Sequence, residues 1–155
     1  MSLYAEITQS SMDFNAFEQL EIQRFSAEEI LQTIKGLMGQ TQFKQLSRAL
    51  GEAGLAIYPQ DEELLTVNAL MAMLDKNWDH VFELMQPLIE LRGDRNSAQS
   101  YIIFVRALTK RLDYDKAWLT VNQALKQYPD DETLQTLHLD IAECIFHAQL
   151  SKHPQ

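Results

Sequence analysis

One apolar pattern occurs three times along the chain and limits the folds open to it. In each copy an aromatic residue is followed by apolar residues three, seven and ten positions later, which places all four on one face of a helix. The copies are Phe43, Leu46, Leu50 and Ala53; Trp78, Val81, Met85 and Leu88; and Tyr114, Ala117, Val121 and Ala124. The aromatic residues are 35 and 36 residues apart. Because a short polar turn precedes each copy, the sequence predicts helix–turn–helix repeats with a period of about 34 residues.

The third copy closely resembles a tetratricopeptide repeat (TPR). The matching residues are Tyr101, Leu108, Tyr114, Ala117, Val121, Ala124 and Pro129. The first two copies resemble it less, since Leu46 and Val81 stand where a small residue is usual. The resemblance covers roughly residues 27–131 and implies an all-α fold, a right-handed α-solenoid of about three TPR-like helix pairs.

Helix start and stop signals divide the chain into three parts. Residues 1–25 are predicted to form an N-terminal arm with a mobile polar start (1–12) and a short helix over 13–25. Residues 26–131 hold the three TPR-like repeats, at about 27–60, 61–95 and 96–130, and residues 132–155 are a C-terminal capping helix and tail. The predicted helix caps are Ser26, Asp61, Asn96 and Asp113. Gly51 and Gly54 lie inside a predicted helix, which indicates close helix contact or, alternatively, flexibility.

Composition excludes several classes of function. The 155 residues carry a net charge of −9, which argues against nucleic-acid binding and against an anionic membrane surface. The single cysteine, Cys144, fits a reducing compartment. No apolar run is long enough to span a bilayer, and the N-terminus lacks the pattern of a signal peptide. A cytoplasmic location is expected.

The ionisable residues show no pattern that catalysis needs. Cys144 and His147 are three residues apart on a predicted helix, as two metal ligands would be, but two further ligands at suitable spacing are missing. The sequence has no glycine-rich phosphate loop, nucleophile elbow or HExxH motif. We expect no catalytic residue, no metal and no cofactor, and hence no enzyme.

The TPR resemblance implies a concave groove lined by the first helix of each pair, where a partner segment usually lies. The positions carried over by alignment are Leu31, Lys35, Met38, Thr66, Leu70, Met73, Ile102, Arg106 and Thr109. Such a surface is apolar and rich in methionine, which adapts to varied side chains. The alternative is that Met38, Leu70 and Met73 are ordinary core between helices. The clamp that some TPR proteins use for chaperone C-termini is absent, because Leu31, Val67, Gln99 and Ile103 occupy four of its positions.

Two apolar surfaces have no obvious place in a single stack of helices. On the last helix Leu139, Phe146 and Leu150 form a stripe well away from the capping stripe of Leu134, Ile141 and Ile145. The arm contributes Phe14 and Phe17. The arm either folds onto the first repeat or reaches another protein, and we expect a homodimer that uses this stripe or the arm.

The resulting interpretation is a non-catalytic protein–protein interaction module that binds an extended or helical segment of a partner in the groove, as an adaptor, scaffold or assembly factor. One alternative is a bacterial secretion-type chaperone holding a secreted protein, to which the predicted architecture is similar. An alternative of another class is an enzyme or small-ligand receptor with a site between helices.

Overall fold

The computed structural model describes residues 2–9 and 21–152, and every regular element in these ranges is helical. They form eight α-helices: α1 Leu3–Gln9, α2 Ala27–Leu37, α3 Lys44–Ile57, α4 Glu62–Leu74, α5 Trp78–Arg92, α6 Ala98–Lys110, α7 Tyr114–Gln127 and α8 Glu132–Lys152. Short 3-10 turns occupy Ile22–Arg24, Thr41–Phe43 and Gly93–Arg95. The chain separates into two compact units, residues 1–71 and 72–155. The predicted all-α architecture of helix pairs is confirmed.

The first unit has its core between α2, α3 and the first part of α4. Ile30, Ile34, Leu37 and Leu50 are fully buried there, together with Leu64 from α4. Ser26 begins α2, because its hydroxyl accepts a hydrogen bond of 3.1 Å from the Glu29 backbone N–H. The same kind of cap begins α4, where the Asp61 carboxylate accepts from the Leu64 N–H at 2.9 Å. These two predicted caps are confirmed.

The start of the chain differs from its prediction. Residues 3–9 form α1, and its Leu3 and Ile7 are fully buried against the core of the first unit. The interpretation of residues 1–12 as a mobile polar start is therefore wrong for this stretch. Two apolar residues one turn apart are enough to hold a short helix once α2 supplies the surface that covers them. Residues 10–20, and with them most of the predicted helix 13–25, lie outside the described residues.

Gly51 is a close contact point between α3 and α4. A Cβ built on Gly51 would overlap the Oδ1 of Asn68 and lie 2.9 Å from the Cε of Met71. The Asn68 amide is held in place, since it donates hydrogen bonds to the Leu64 carbonyl at 2.7 Å and to the Gly51 carbonyl at 3.4 Å. Of the two readings of this glycine, close helix contact is the correct one.

The second unit contains α5, α6, α7 and α8, each packed against the next along the chain. Tyr101 and Phe104 of α6 are its largest buried side chains. The apolar stripe predicted for α7 is buried as expected, with Ala117, Val121 and Ala124 at 0% exposure. These small residues allow α6 and α8 to pack closely on either side of α7.

The corner between α5 and α6 corrects one predicted cap. Ser97, not Asn96, begins α6, because its hydroxyl accepts from the Ser100 N–H at 3.1 Å. Asn96 is fully buried, and its amide nitrogen donates to the carbonyls of Ile89 at 2.9 Å and Gly93 at 2.8 Å. Asn96 thus stabilises the end of the preceding helix rather than the start of the next.

The turns that end α4 and α6 contain non-glycine residues in the left-handed region. Lys76 has φ 59° and Leu112 has φ 63°. In each turn the next residue donates its N–H back to the helix, Asn77 to Ala72 and Asp113 to Leu108, both at 2.9 Å. This is the hydrogen bond that a left-handed residue makes possible at a helix end. Asp113 then begins α7 by accepting from the Lys116 N–H at 3.3 Å, as predicted.

Candidate functional site

An open cleft of about 580 Å³ lies between α6 and α8 in the second unit. Its two walls face each other because α7 packs against both helices. The cleft is lined by Trp78, Arg106, Thr109, Lys110, Glu132, Thr133, Thr136, Leu137, Asp140 and Ile141.

The α6 wall follows from the register of that helix. Thr109 and Lys110 follow Arg106 by three and four residues, so all three lie on one face of α6. The intervening Ala107 and Leu108 are fully buried and fix the helix with this polar face outward. Lys110 lies in the last turn of α6, where the helix dipole favours a positive charge.

The cleft has walls of opposite charge that do not neutralise each other. Arg106 and Lys110 are exposed on α6, and Glu132 and Asp140 are exposed on α8. Among residues 2–9 and 21–152, the ion pairs with described geometry involve other side chains, such as Arg111 with Asp79 at 3.1 Å and Arg24 with Glu6 at 3.7 Å. A bound molecule would therefore meet positive charge on one side and negative charge on the other.

The floor of the cleft is apolar. Ile141 is fully buried beneath it, while Leu137 and Trp78 are half-buried. The hydroxyls of Thr109 and Thr136 donate to backbone carbonyls within their own helices, at 2.9 Å and 3.0 Å. Their oxygens remain able to accept a hydrogen bond from a ligand.

Comparison with solved structures identifies the architecture. Two crystal forms of MamA AMB-1 superpose on this chain with TM-scores of 0.70 and 0.71, at 17% and 18% sequence identity. The superpositions cover 92% and 97% of this chain, and 76% and 88% of MamA. A point mutant of MamA gives a TM-score of 0.71 at 17% identity, covering 92% of this chain and 77% of that one. MamA is a TPR-like helical-repeat protein.

This chain has the same TPR-like fold. At such identities the likeness concerns the fold alone. No protein-family model matches the sequence, and no curated protein does. The TPR-like period also relates the two walls of the cleft, because Asp140 follows Arg106 by 34 residues, one repeat later.

The structure brings two of the nine predicted groove residues to the cleft. Arg106 and Thr109 line it, whereas Ile102 is 9% exposed and belongs mainly to the core. In the first unit Leu31 is 1% exposed and is core, so it offers no surface to a partner. Lys35 is exposed. The remaining predicted positions are half-buried: Met38, which packs against the first core, Thr66, Leu70 and Met73.

The α8 wall has no signal in the sequence. Glu132, Thr133, Thr136 and Asp140 belong to no apolar stripe of the predicted capping helix. Continuing the repeat register by one more period would have placed Asp140 beside the groove. Lys110 lies next to Thr109 but is not one of the groove positions that the TPR resemblance implies.

The predicted self-association residues of α8 are exposed. Leu139 is 66% exposed, Phe146 58% and Leu150 54%, whereas Leu134 and Ile141 on another face of the helix are fully buried. Phe14 and Phe17 lie outside the described residues. The homodimer stays a prediction.

The described residues were compared with the requirements of a metal site, a perturbed ionisable group and a membrane span. No group of three His, Cys, Asp or Glu side chains within residues 2–9 and 21–152 could hold a metal ion. Burial and the neighbouring Cys144 thiol raise the pKa of the Tyr114 hydroxyl, so this phenol is neutral at physiological pH. Among the helices in those ranges, none is long and apolar enough to cross a membrane.

Proposed function

We propose that this chain is a non-catalytic protein–protein interaction module, and that the cleft between α6 and α8 binds a segment of a partner protein. The observation that carries the proposal is the combination of an apolar floor with exposed charges of both signs on the walls. A polypeptide segment supplies apolar side chains, charges of both signs and backbone hydrogen-bonding groups together. The cleft is also open to solvent, so a polypeptide segment can reach it.

Charge supports a protein partner over a nucleic acid. The net charge of −9 opposes a polyanion. Only Arg106 and Lys110 contribute positive charge to the cleft, and Glu132 and Asp140 balance it. The cleft therefore has no continuous basic surface that a phosphate backbone would follow.

The test is selection of binding peptides from a random library displayed on phage, with the full chain immobilised. We expect enriched peptides to bind wild type and to lose affinity about tenfold on Arg106→Glu, equivalent to roughly 1.4 kcal/mol. The matched control is Lys126→Glu, which changes the net charge equally at an exposed site of α7 outside the cleft. Nuclear magnetic resonance shifts should map the bound peptide to α6 and α8. Peptides that bind both variants as they bind wild type would remove the cleft from the function.

A small-ligand receptor is the second candidate, because about 580 Å³ falls within the range of small-molecule sites. A thermal-shift screen with metabolites separates the two. The receptor would be favoured if a metabolite stabilises wild type but not Arg106→Glu, and if the phage selection yields no binding peptide.

A further inference from the structure

We infer that the cleft selects an extended segment with alternating charge, in which acidic side chains at positions i and i+2 face Arg106 and Lys110 and a basic side chain at i+1 faces Asp140. This inference rests on the proposed function and specifies the chemistry of the partner. It follows from the geometry of the two walls.

The first step is the spacing on the α6 wall. Arg106 and Lys110 are four residues apart on a helix, which corresponds to about 6 Å along its axis. In an extended chain, residues i and i+2 point to the same side and are about 6.8 Å apart. Two acidic side chains at i and i+2 therefore reach the two cations together.

The second step is the opposite wall. In an extended chain the side chain at i+1 points away from those at i and i+2. When the acidic pair faces α6, this side chain faces α8, where Asp140 is exposed. A basic residue there meets an opposite charge, whereas an acidic residue would be repelled. Alternation of charge along the segment thus mirrors the opposite charges of the walls.

The test uses two synthetic peptides of identical composition and measures their Kd by fluorescence anisotropy. One peptide alternates acidic and basic residues around a central leucine, and the other has the same acidic residues in one block and the basic residues in another. We expect wild type to bind the alternating peptide about tenfold more tightly. Equal binding, tighter binding of the block peptide, or binding of neither would overturn the inference.

A charge exchange shows whether the two walls act together. Arg106→Glu should weaken binding of the alternating peptide about tenfold. Adding Asp140→Arg should restore most of the lost affinity, because the peptide can rotate about its own axis so that its acidic side chains face α8 and its basic side chain faces α6. The control Glu143→Arg makes the same charge change on α8 outside the cleft and should restore nothing. If Asp140→Arg does not restore binding, the inference that α6 and α8 bind opposite charges of the same segment is wrong.

These outcomes are separable from failure of the proposed function. If library peptides bind the cleft but carry no alternating charge, the interaction module stands and only this inference is lost. If neither library nor designed peptides bind, both are lost.

Discussion

The hydroxyl of Tyr128 donates a hydrogen bond of 2.6 Å to the backbone carbonyl of Asn96, 32 residues earlier in the chain. Tyr58 does the same to Phe25, at 2.8 Å and across 33 residues. Each tyrosine follows the second helix of a pair, and each carbonyl directly precedes the serine that begins the first helix. The bond therefore joins the end of a helix pair to its beginning, once in each compact unit.

Tyr128→Phe should lower the free energy of unfolding by about 1–2 kcal/mol, because it leaves the Asn96 carbonyl without this donor. Urea unfolding followed by tryptophan fluorescence measures the change, since both tryptophans, Trp78 and Trp118, lie in residues 72–155. Tyr4→Phe is the control, because Tyr4 is 41% exposed on α1. An equal effect of both substitutions would contradict a role for the hydroxyl of Tyr128.

Leu112→Gly should stabilise the second unit by about 0.5–1 kcal/mol. Leu112 is 70% exposed and has φ 63°, so glycine removes backbone strain without emptying the core. Leu119→Gly is the matched control, because Leu119 is 71% exposed inside α7 and should lose about 1 kcal/mol there. The same unfolding experiment compares them, and a loss of stability in both would argue against strain at Leu112.

Gly51→Ala should destabilise the first unit by about 1–3 kcal/mol, although alanine is the better helix former. The new methyl group would displace the Asn68 amide from its hydrogen bonds. Circular dichroism during urea unfolding reports the change. Gly39→Ala should be neutral, since nothing lies within 4 Å of a Cβ at that position. If Gly51→Ala instead stabilises the protein, α3 and α4 can move apart to accommodate the methyl group at little cost in free energy.

Asn96→Asp should destabilise the second unit by more than about 3 kcal/mol at neutral pH, because it places a buried carboxylate against two carbonyl oxygens. Burial without a donor raises the pKa of the introduced carboxyl in the folded state above its value of about 3.9 in the unfolded chain. A group shifted this way favours folding as the pH falls, so the deficit should shrink between neutral pH and about pH 4. The measurement is unfolding free energy against pH, with Asn96→Ala as the pH-independent control. A deficit that stays constant over this range would contradict the burial of residue 96.

Phe146→Asp should convert a dimer into a monomer, if the exposed stripe of Leu139, Phe146 and Leu150 is the interface between two copies. Covering such side chains is favourable by roughly 1.5–3 kcal/mol each. Light scattering at micromolar concentration gives the mass. Leu119→Asp, at a similarly exposed leucine of α7, should leave the dimer intact. A monomeric wild type would end the homodimer hypothesis, and a dimeric Phe146→Asp would move the interface elsewhere.

The sequence was informative where burial is periodic. Val81 and Val121 each sit in a stripe that local spacing alone placed on the inner face, and both are fully buried. The position of α1 was not predictable in this way, because Leu3 and Ile7 give too short a pattern and are buried only through contact with distant residues.

For the candidate site, the repeat register predicted Arg106 and Thr109, since a periodic fold places equivalent residues on equivalent surfaces. It did not predict Asp140, whose side chain is exposed and follows no apolar period. Polar residues around a cleft carry no burial signal of their own, and only the packing of α6 and α8 on α7 brings them together.

Because α8 forms one wall of the cleft, local opening of this helix removes the cleft. One wall belongs to the last helix, which is secured by α7 and by its contacts with α6. A local opening that moves α8 away from α6 would remove this wall while α5, α6 and α7 stay folded. Amide hydrogen exchange in α8 would then report how often the cleft opens. A bound segment that bridges both walls would slow this exchange throughout α8, including at residues that it does not contact.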